Sequence, residues 1–448
     1  MNGLLQRSAL ALTRLSERWV PSAFVIACWL SAVTAAAAFA FTPAGPAAII
    51  KAWGAGFWSL SAFGMQMCLV LMTGAIIAET SPVRRLLDLA AGLPKSDRGA
   101  VVFSACASMA LCWVHWGLGA VAAAFLVRRL ALKRPTVDYR LLTATAYFGM
   151  GATWHAGLSG SAPLLMATPH NFLEAQAGGT IPTAETIFSG INLGLAAVTT
   201  LTLAALAWFM YPQREEDVFR LEPAALARLE EALPPPAGTG DGAWLRLWER
   251  SRAVPLAFLA WGLVSTALQI REGGFSLTLD NLNFIFLTLA VGLHESPASF
   301  TRAAEKAAGL VHGIILQFPL YAGMLGIIKG CGLDVVLAEL FVRAATARTF
   351  PFIVYWYTGV LNYFIPSGGS KWAVEAPYLL PAAHRLGVPN AQVVIAYAWG
   401  DMLTDSVQPF WCIPLLAVAR LEFKEILGYM MLVCLVTGIL ASAAFLFF

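Results

Sequence analysis

The chain has 448 residues, of which 58% are apolar and only 12% charged, and its mean hydropathy is +0.69. Soluble domains carry about 25% charged residues. Too few polar side chains remain here to cover a water-facing surface, which excludes a soluble globular protein and a disordered chain alike. The net charge of +3 comes without a long basic tract, so membrane lipid is an expected partner and nucleic acid is not.

Apolar blocks fall near 19–41, 57–79, 99–126, 139–171, 186–211, 253–270, 281–294, 309–330, 350–380, 390–418 and 425–447. The fourth, ninth and tenth are interrupted. Most are close to the roughly 20 residues that cross a bilayer as a helix, which predicts an all-α polytopic membrane protein. A β-barrel would show short alternating segments instead. Met1 to Val20 carries Arg7, Arg14 and Arg18 but no cleavage site of the A-x-A type, so block 19–41 reads as a first membrane helix. The long polar stretch lies between Tyr211 and Arg252 and contains Pro234-Pro-Pro-Ala-Gly-Thr-Gly-Asp-Gly242, the composition of a solvent linker. Three regions follow. They are a membrane repeat with its N-terminal cytoplasmic segment (1–211), a cytoplasmic linker (212–252), and a second repeat with an extra leading helix (253–448). The seven cysteines are scattered without a C-x-x-C pair and read as small apolar residues.

Loop charge sets the expected topology. The N-terminus, loop 80–98 (Arg84, Arg85, Lys95, Arg98) and loop 127–140 (Arg128, Arg129, Lys133, Arg134, Arg140) are basic, whereas loop 172–185 has no Lys or Arg. Two adjacent loops on the cytoplasmic side make the block between them a re-entrant hairpin, with Val114-His-Trp-Gly-Leu-Gly119 at its tip. Internal matches support duplication. Gln66 with Ile76-Ile77 recurs as Gln317 with Ile327-Ile328, Gly117 as Gly368, and Ala146-Tyr147 as Ala396-Tyr397, all 250 or 251 residues apart. An odd number of full spans separates equivalent points, so the halves are expected to be inverted, a common transporter plan with substrate near the midplane.

Broken backbone is costly in lipid and is tolerated where it is buried or lines a wet cavity. Four breaks stand out. The hairpin tips carry Trp116, Gly117 and Gly119 in one half and Ser367, Gly368, Gly369 and Ser370 in the other. Gly157-Leu-Ser-Gly-Ser-Ala-Pro163 supplies Ser159, Gly160 and Ser161, and Thr404-Asp-Ser-Val-Gln-Pro409 is its counterpart. Amide groups at such breaks, together with Lys371, are candidate ligands for an anion. Thr168, Asn171, Thr404, Asp405 and Ser406 are candidates for a coupling Na⁺ or H⁺. The plainer reading is that glycine and serine let helices pack closely. Lys371 and Glu375, four apart, can pair on one helix face, and Asp401 and Asp405 likewise share a face. Gln66 and Gln317 are placed to bond the hairpin tips, with Gln408 supporting the second break. His115, His155 and His170 read as packing residues. No metal or cofactor beyond Na⁺ is implied. The Gly117-Leu-Gly119 fingerprint lacks a preceding strand, Ser159 falls short of a nucleophile elbow, and there is no H-E-x-x-H motif and no P-loop.

A set of motifs spread over nearly the whole chain resembles the bacterial short-chain fatty acid transporters associated with acetoacetate and butyrate use. It comprises Trp53-Gly-Ala-Gly-Phe-Trp58, Ala62-Phe-Gly-Met-Gln-Met67, Trp116-Gly-Leu-Gly119, Ser159-Gly-Ser-Ala-Pro-Leu-Leu165 with Ala167-Thr-Pro169, Gln317-Phe-Pro319, Pro366-Ser-Gly-Gly369 with Trp372, and Gln408-Pro-Phe-Trp411. The resemblance implies a place in the wider ion-transporter group, with inverted repeats, two re-entrant hairpins and an elevator motion. It departs from the family pattern at Lys371, Glu375 and Asp405, where neutral or imidazole side chains are usual. The expected function is therefore secondary, cation-coupled transport of short-chain monocarboxylates across the inner membrane, with oligomeric state left open. A dicarboxylate carrier, favoured by Lys371, is the alternative. A membrane enzyme using His155 and Ser159 would lack an orienting carboxylate, and a passive channel would ignore ion gradients.

Overall fold

Lipid offers a backbone no hydrogen-bond partners, so long apolar runs must satisfy their own amides as helices. The computed structural model describes residues 21, 23–222, 224–226, 244 and 248–447 and contains no strand among them. The expected N-terminal cytoplasmic segment with Arg7, Arg14 and Arg18, and most of the linker, lie outside the described residues. The first half contains α1 (Ala23–Phe41), α2 (Pro46–Gly56), α3 (Ser61–Ala78), α4 (Ser81–Ala90), α5 (Asp97–Val114), α6 (Trp116–Lys133), α7 (Tyr139–Ala146), α8 (Phe148–Ala152), α9 (Ser161–Ala167) and α10 (Gly190–Met210). The second half contains α11 (Ala253–Arg271), α12 (Leu279–Gly292), α13 (Pro297–Ala308), α14 (His312–Gly330), α15 (Leu333–Ala344), α16 (Phe350–Phe364), α17 (Gly368–Leu386), α18 (Asn390–Asp405), α19 (Ile413–Ala419) and α20 (Phe423–Phe447).

Seven described helices are long and apolar enough to cross a membrane, α1, α3, α5, α10, α11, α14 and α20, and α18 with Phe410–Ala419, set at a 70° bend, makes an eighth if the pair is taken as one span. Residues 42–56 and 80–98, expected as loops, hold α2 and α4, and α13 and α15 form in stretches between the expected apolar blocks. A search for long apolar runs passes over short helices whose apolar residues lie along one face, as in α4 with Arg84, Arg85 and Asp88 among its leucines. Block 139–171 is not one interrupted span but three short helices, because Gly149, Gly151, Gly157 and Gly160 lie where the chain touches neighbouring backbone or side chains.

Duplication is visible in the order of elements. The starts of α3, α4, α5, α6, α7 and α9 (Ser61, Ser81, Asp97, Trp116, Tyr139, Ser161) recur 251–253 residues later. Those positions are the starts of α14, α15, α16, α17, α18 and α19 (His312, Leu333, Phe350, Gly368, Asn390, Ile413). The packing is reciprocal as well: α6 lies against α19, and α17 lies against α9. Trp154 and Asp405, equivalent positions 251 residues apart, bond directly to each other at 3.0 Å.

Candidate functional site

The two principal breaks sit at equivalent positions but are finished differently. In the first, α5 ends at Val114 and α6 begins at Trp116, leaving His115 alone in extended conformation (φ −160°). His115 Nδ1 accepts from Leu118 N at 3.2 Å, and Ser159 Oγ accepts from Trp116 N at 2.9 Å. The α6 N-terminus is thus capped twice. In the second, Pro366 stands at the position equivalent to His115 and Phe410 at that of Ser159. Neither side chain can accept a hydrogen bond. Ser367, the residue before α17, makes no cap to the helix; its hydroxyl instead accepts from Ser370 Oγ at 2.6 Å. Helix starts leave their first amides without internal partners. The replacement of two capping residues therefore leaves the α17 N-terminus, the positive end of its helix dipole, as the one without a side-chain cap. Trp411 Nε1 donates to Pro366 O at 3.1 Å and holds this break in place.

A small cavity of about 30 Å³ lies at that end. Ser367, Gly368 and Gly369 line it from the second half, and Trp116 and Ser161 from the first. Met67, Met150, Trp154, Ile314, Phe318 and Trp411 complete the wall. Trp116 is 95% buried with its indole N–H unbonded, while its ring packs edge-on to Trp154 and Trp411 at 5.8 and 5.4 Å. The lining is mostly apolar, with the hydroxyls of Ser161 and Ser367 and the backbone of Gly368 and Gly369 as its polar part.

Behind the glycines lies a buried charge network. A Cβ on Gly368 would fall 2.6 Å from Asp401 Oδ2 and 2.7 Å from His155 Cε1, so only glycine fits between network and pocket. Lys371 Nζ lies 2.9 Å from Asp401 Oδ1, donates to Thr358 O at 3.1 Å, and sits 4.8 Å over the Tyr397 ring. His155 Nε2 accepts from Ala162 N at 3.1 Å. The imidazole proton is therefore on Nδ1, from which it donates to Asp401 Oδ2 at 2.7 Å. The group holds one ion pair and a neutral histidine, all three side chains fully enclosed.

Several expectations are corrected by this geometry. Lys371 pairs with Asp401 on α18 and not with Glu375, because the helix crossing brings Asp401 to the ammonium directly. Glu375 Oε2 instead accepts from Thr358 Oγ1 at 2.6 Å. Ser159 is spent as a cap. Gly117 and Gly119 meet α3 and α5 backbone, at Val70 O (2.8 Å from an added Cβ) and Cys112 Cα (2.7 Å), and serve close packing. Gly160 abuts its own loop at His155 O. Gln66 Nε2 bonds Asp280 Oδ1 at 2.5 Å, and Gln317 Oε1 accepts from Tyr321 OH, so neither reaches a break. Thr168 Oγ1 serves Leu164 O and Leu279 N, and Asn171 bonds Thr168 O and Leu173 N. Thr168 thus ties the end of α9 to the start of α12, and Asn171 closes its own turn. Thr404 and Ser406 hydroxyls donate to Gly359 O and Leu403 O. Asp405 accepts from Trp154 Nε1, from Asn362 Nδ2 at 2.8 Å and from Gln408 Nε2 at 3.3 Å. The carboxylate absent beside His155 in the sequence reading is present as Asp401. With Nε2 held by Ala162 and Ser159 facing Trp116, however, no proton relay connects them.

An all-helical chain with several helices long and apolar enough to cross a membrane is consistent with a polytopic membrane protein. The chain belongs to the short chain fatty acid transporter family, which matches residues 4–448. It is 36% identical over 440 residues to an Escherichia coli K12 protein named "Putative short-chain fatty acid transporter", covering 98% of each chain. A Haemophilus influenzae protein of the same name is 31% identical, with 97% of this chain and 98% of that one covered. Among solved structures, the fold matches the Alcanivorax borkumensis YdaH transporter (TM-score 0.56, 15% identity, 95% and 98% covered). It also matches Neisseria gonorrhoeae MtrF, of a class of antimetabolite efflux pumps (TM-score 0.54, 17% identity, 98% and 97% covered).

Proposed function

We propose that this protein carries short-chain monocarboxylates such as acetoacetate or butyrate across the bacterial inner membrane, coupled to a cation and by alternating access. The observation that carries the reading is the uncapped α17 N-terminus opening on a small, mostly apolar pocket beside the unbonded indole N–H of Trp116. A carboxylate takes the Gly368 and Gly369 amides, the Ser367 and Ser161 hydroxyls and the indole N–H. A short acyl tail lies against Met67, Met150, Ile314 and Phe318. In this reading the two halves are inverted, α5–α6 and α16–α17 are re-entrant, the N-terminus is cytoplasmic, and the breaks move together to expose the pocket on alternate sides. Moving an uncompensated anion through low dielectric is costly, which is why a cation accompanies it. The dicarboxylate alternative loses its main support, because the Lys371 ammonium is already engaged by Asp401.

Uptake of labelled straight-chain acids of two to six carbons into proteoliposomes, under imposed proton or Na⁺ gradients, tests the reading. Gradient-driven accumulation of butyrate is expected. Its absence for every acid in the series overturns the substrate class. The Ser367→Ala variant should raise the half-saturation concentration about tenfold, the weight of one hydrogen bond to a charged group, about 1.5 kcal/mol.

A further inference from the structure

Four carboxyl groups are buried among the described residues: Asp138, Glu375, Asp401 and Asp405. Three are well provided with donors. Asp138 accepts from Leu141 N and Phe219 N, Asp401 has Lys371 and His155, and Asp405 has three N–H groups. Glu375 is the exception. It is fully enclosed, touches a single hydroxyl, and leaves Oε1 with no partner.

An ionised carboxylate so placed is an uncompensated charge in a dry interior. A protonated one is not. With its proton on Oε2, the acid donates to Thr358 Oγ1 over the same 2.6 Å, and only a neutral carbonyl oxygen goes unbonded. Thr358 also joins Glu375 to the ion pair, since its carbonyl accepts from Lys371 Nζ. Lys371 lies one helical turn from Glu375, the spacing at which an ionised pair forms. Loss of the proton therefore gives Lys371 a second anion to choose, and Asp401, the one it would leave, stands directly behind Gly368 in the pocket wall.

We propose that Glu375 is the proton-binding site of coupled transport, and that Lys371 exchanges Asp401 for Glu375 when the proton leaves. The carboxylate takes a proton from water on the side where the substrate enters, forming a neutral acid, and returns it to water on the other side. This rests on the monocarboxylate transport reading and names its coupling ion. The titratable groups facing Glu375 are Lys371 and Tyr378 on α17, Tyr357 on α16, and Asp401 and Tyr397 on α18. The other elements packed on α17 bring charges that are occupied elsewhere. Lys329 of α14 faces Asp334, Glu339 of α15 pairs with Arg343 and with Arg385 at 2.6 Å, and Glu174 of the short helix Glu174–Ala177 bonds His170 N. The α9 helix carries no ionisable side chain.

Glu375→Gln mimics the protonated acid in shape and charge. In proteoliposomes, the variant should lose proton-gradient-driven butyrate accumulation, at least tenfold after subtraction of uptake into protein-free vesicles. Exchange of labelled for unlabelled butyrate should continue. Accumulation that still follows the proton gradient overturns the proposal. Infrared difference spectra of the purified protein between neutral and alkaline pH, recorded without substrate, give a second readout. The carbonyl band of a protonated carboxylic acid should disappear in Glu375→Gln and persist in Asp405→Asn. A band unchanged in Glu375→Gln overturns the assignment even if butyrate proves to be the wrong substrate. Absence of both uptake and exchange in the unmodified protein, with the band behaving as stated, faults the substrate reading alone.

Discussion

Replacing Lys371 with methionine should destabilise the protein by about 3–5 kcal/mol, the cost of leaving one member of a buried ion pair without its counter-charge. Asp401 stays enclosed, with only the neutral His155 beside it. Adding Asp401→Asn should restore much of the loss, because removing both charges removes the penalty as well as the attraction. Unfolding midpoints in detergent for the two single variants and the double variant complete the cycle. Additive losses would mean that the two side chains do not share one interaction. His155 sharpens the comparison. Its Nε2 is fixed as an acceptor by Ala162 N, so it cannot take over as the missing cation without giving up that bond.

Gly117→Val should be comparably severe, for a steric reason. A Cβ on Gly117 would stand 2.8 Å from Val70 O and 3.1 Å from Leu71 Cα, and one on Gly74 would meet Gly117 Cα at 2.9 Å. The backbones of α3 and α6 touch here, as small residues allow in membrane helices, and backbone cannot yield as a side chain can. Overpacking costs about 1–3 kcal/mol where side chains can move aside, and the loss here should reach about 3 kcal/mol. The equivalent change, Gly368→Val, meets the side chains of Asp401, His155 and Trp154 instead. It should cost less stability and more substrate affinity. Comparing folded yield with butyrate exchange for the two variants measures that difference. Equal folding losses would contradict the division between a packing glycine and a pocket glycine.

The breaks were legible in the sequence because glycine, proline and serine interrupt otherwise apolar runs, at His115–Gly119 and Pro366–Ser370 above all. The duplication was legible from a few pairs at one spacing, and the helix starts repeat that spacing throughout. The partner of Lys371 was not. Glu375 is near in sequence and Asp401 thirty residues away, and only the crossing of α17 and α18 decides between them. The asymmetry of the caps had a signal in the sequence: aligning the halves at the offset of 251 sets Pro366 against His115 and Phe410 against Ser159. Its meaning emerges once Ser159 is seen bonding Trp116 N. Met67 and Phe318 fall within the motifs of the resemblance, but Met150 and Ile314 carried no signal, since they resemble dozens of other membrane-helix residues and are gathered only by tertiary packing. Short helices such as α2 and α4 were passed over because neither approaches the length of a span.

Equilibrium binding of labelled butyrate to the purified protein, compared with a Ser367→Trp variant whose indole fills the pocket, bears most directly on where the anion sits. Saturable binding to the unmodified protein, displaced by acetoacetate and absent from a variant of unchanged helix content, is the predicted result. Saturable binding that survives with the pocket filled would put the carboxylate elsewhere and contradict the site described at the α17 N-terminus.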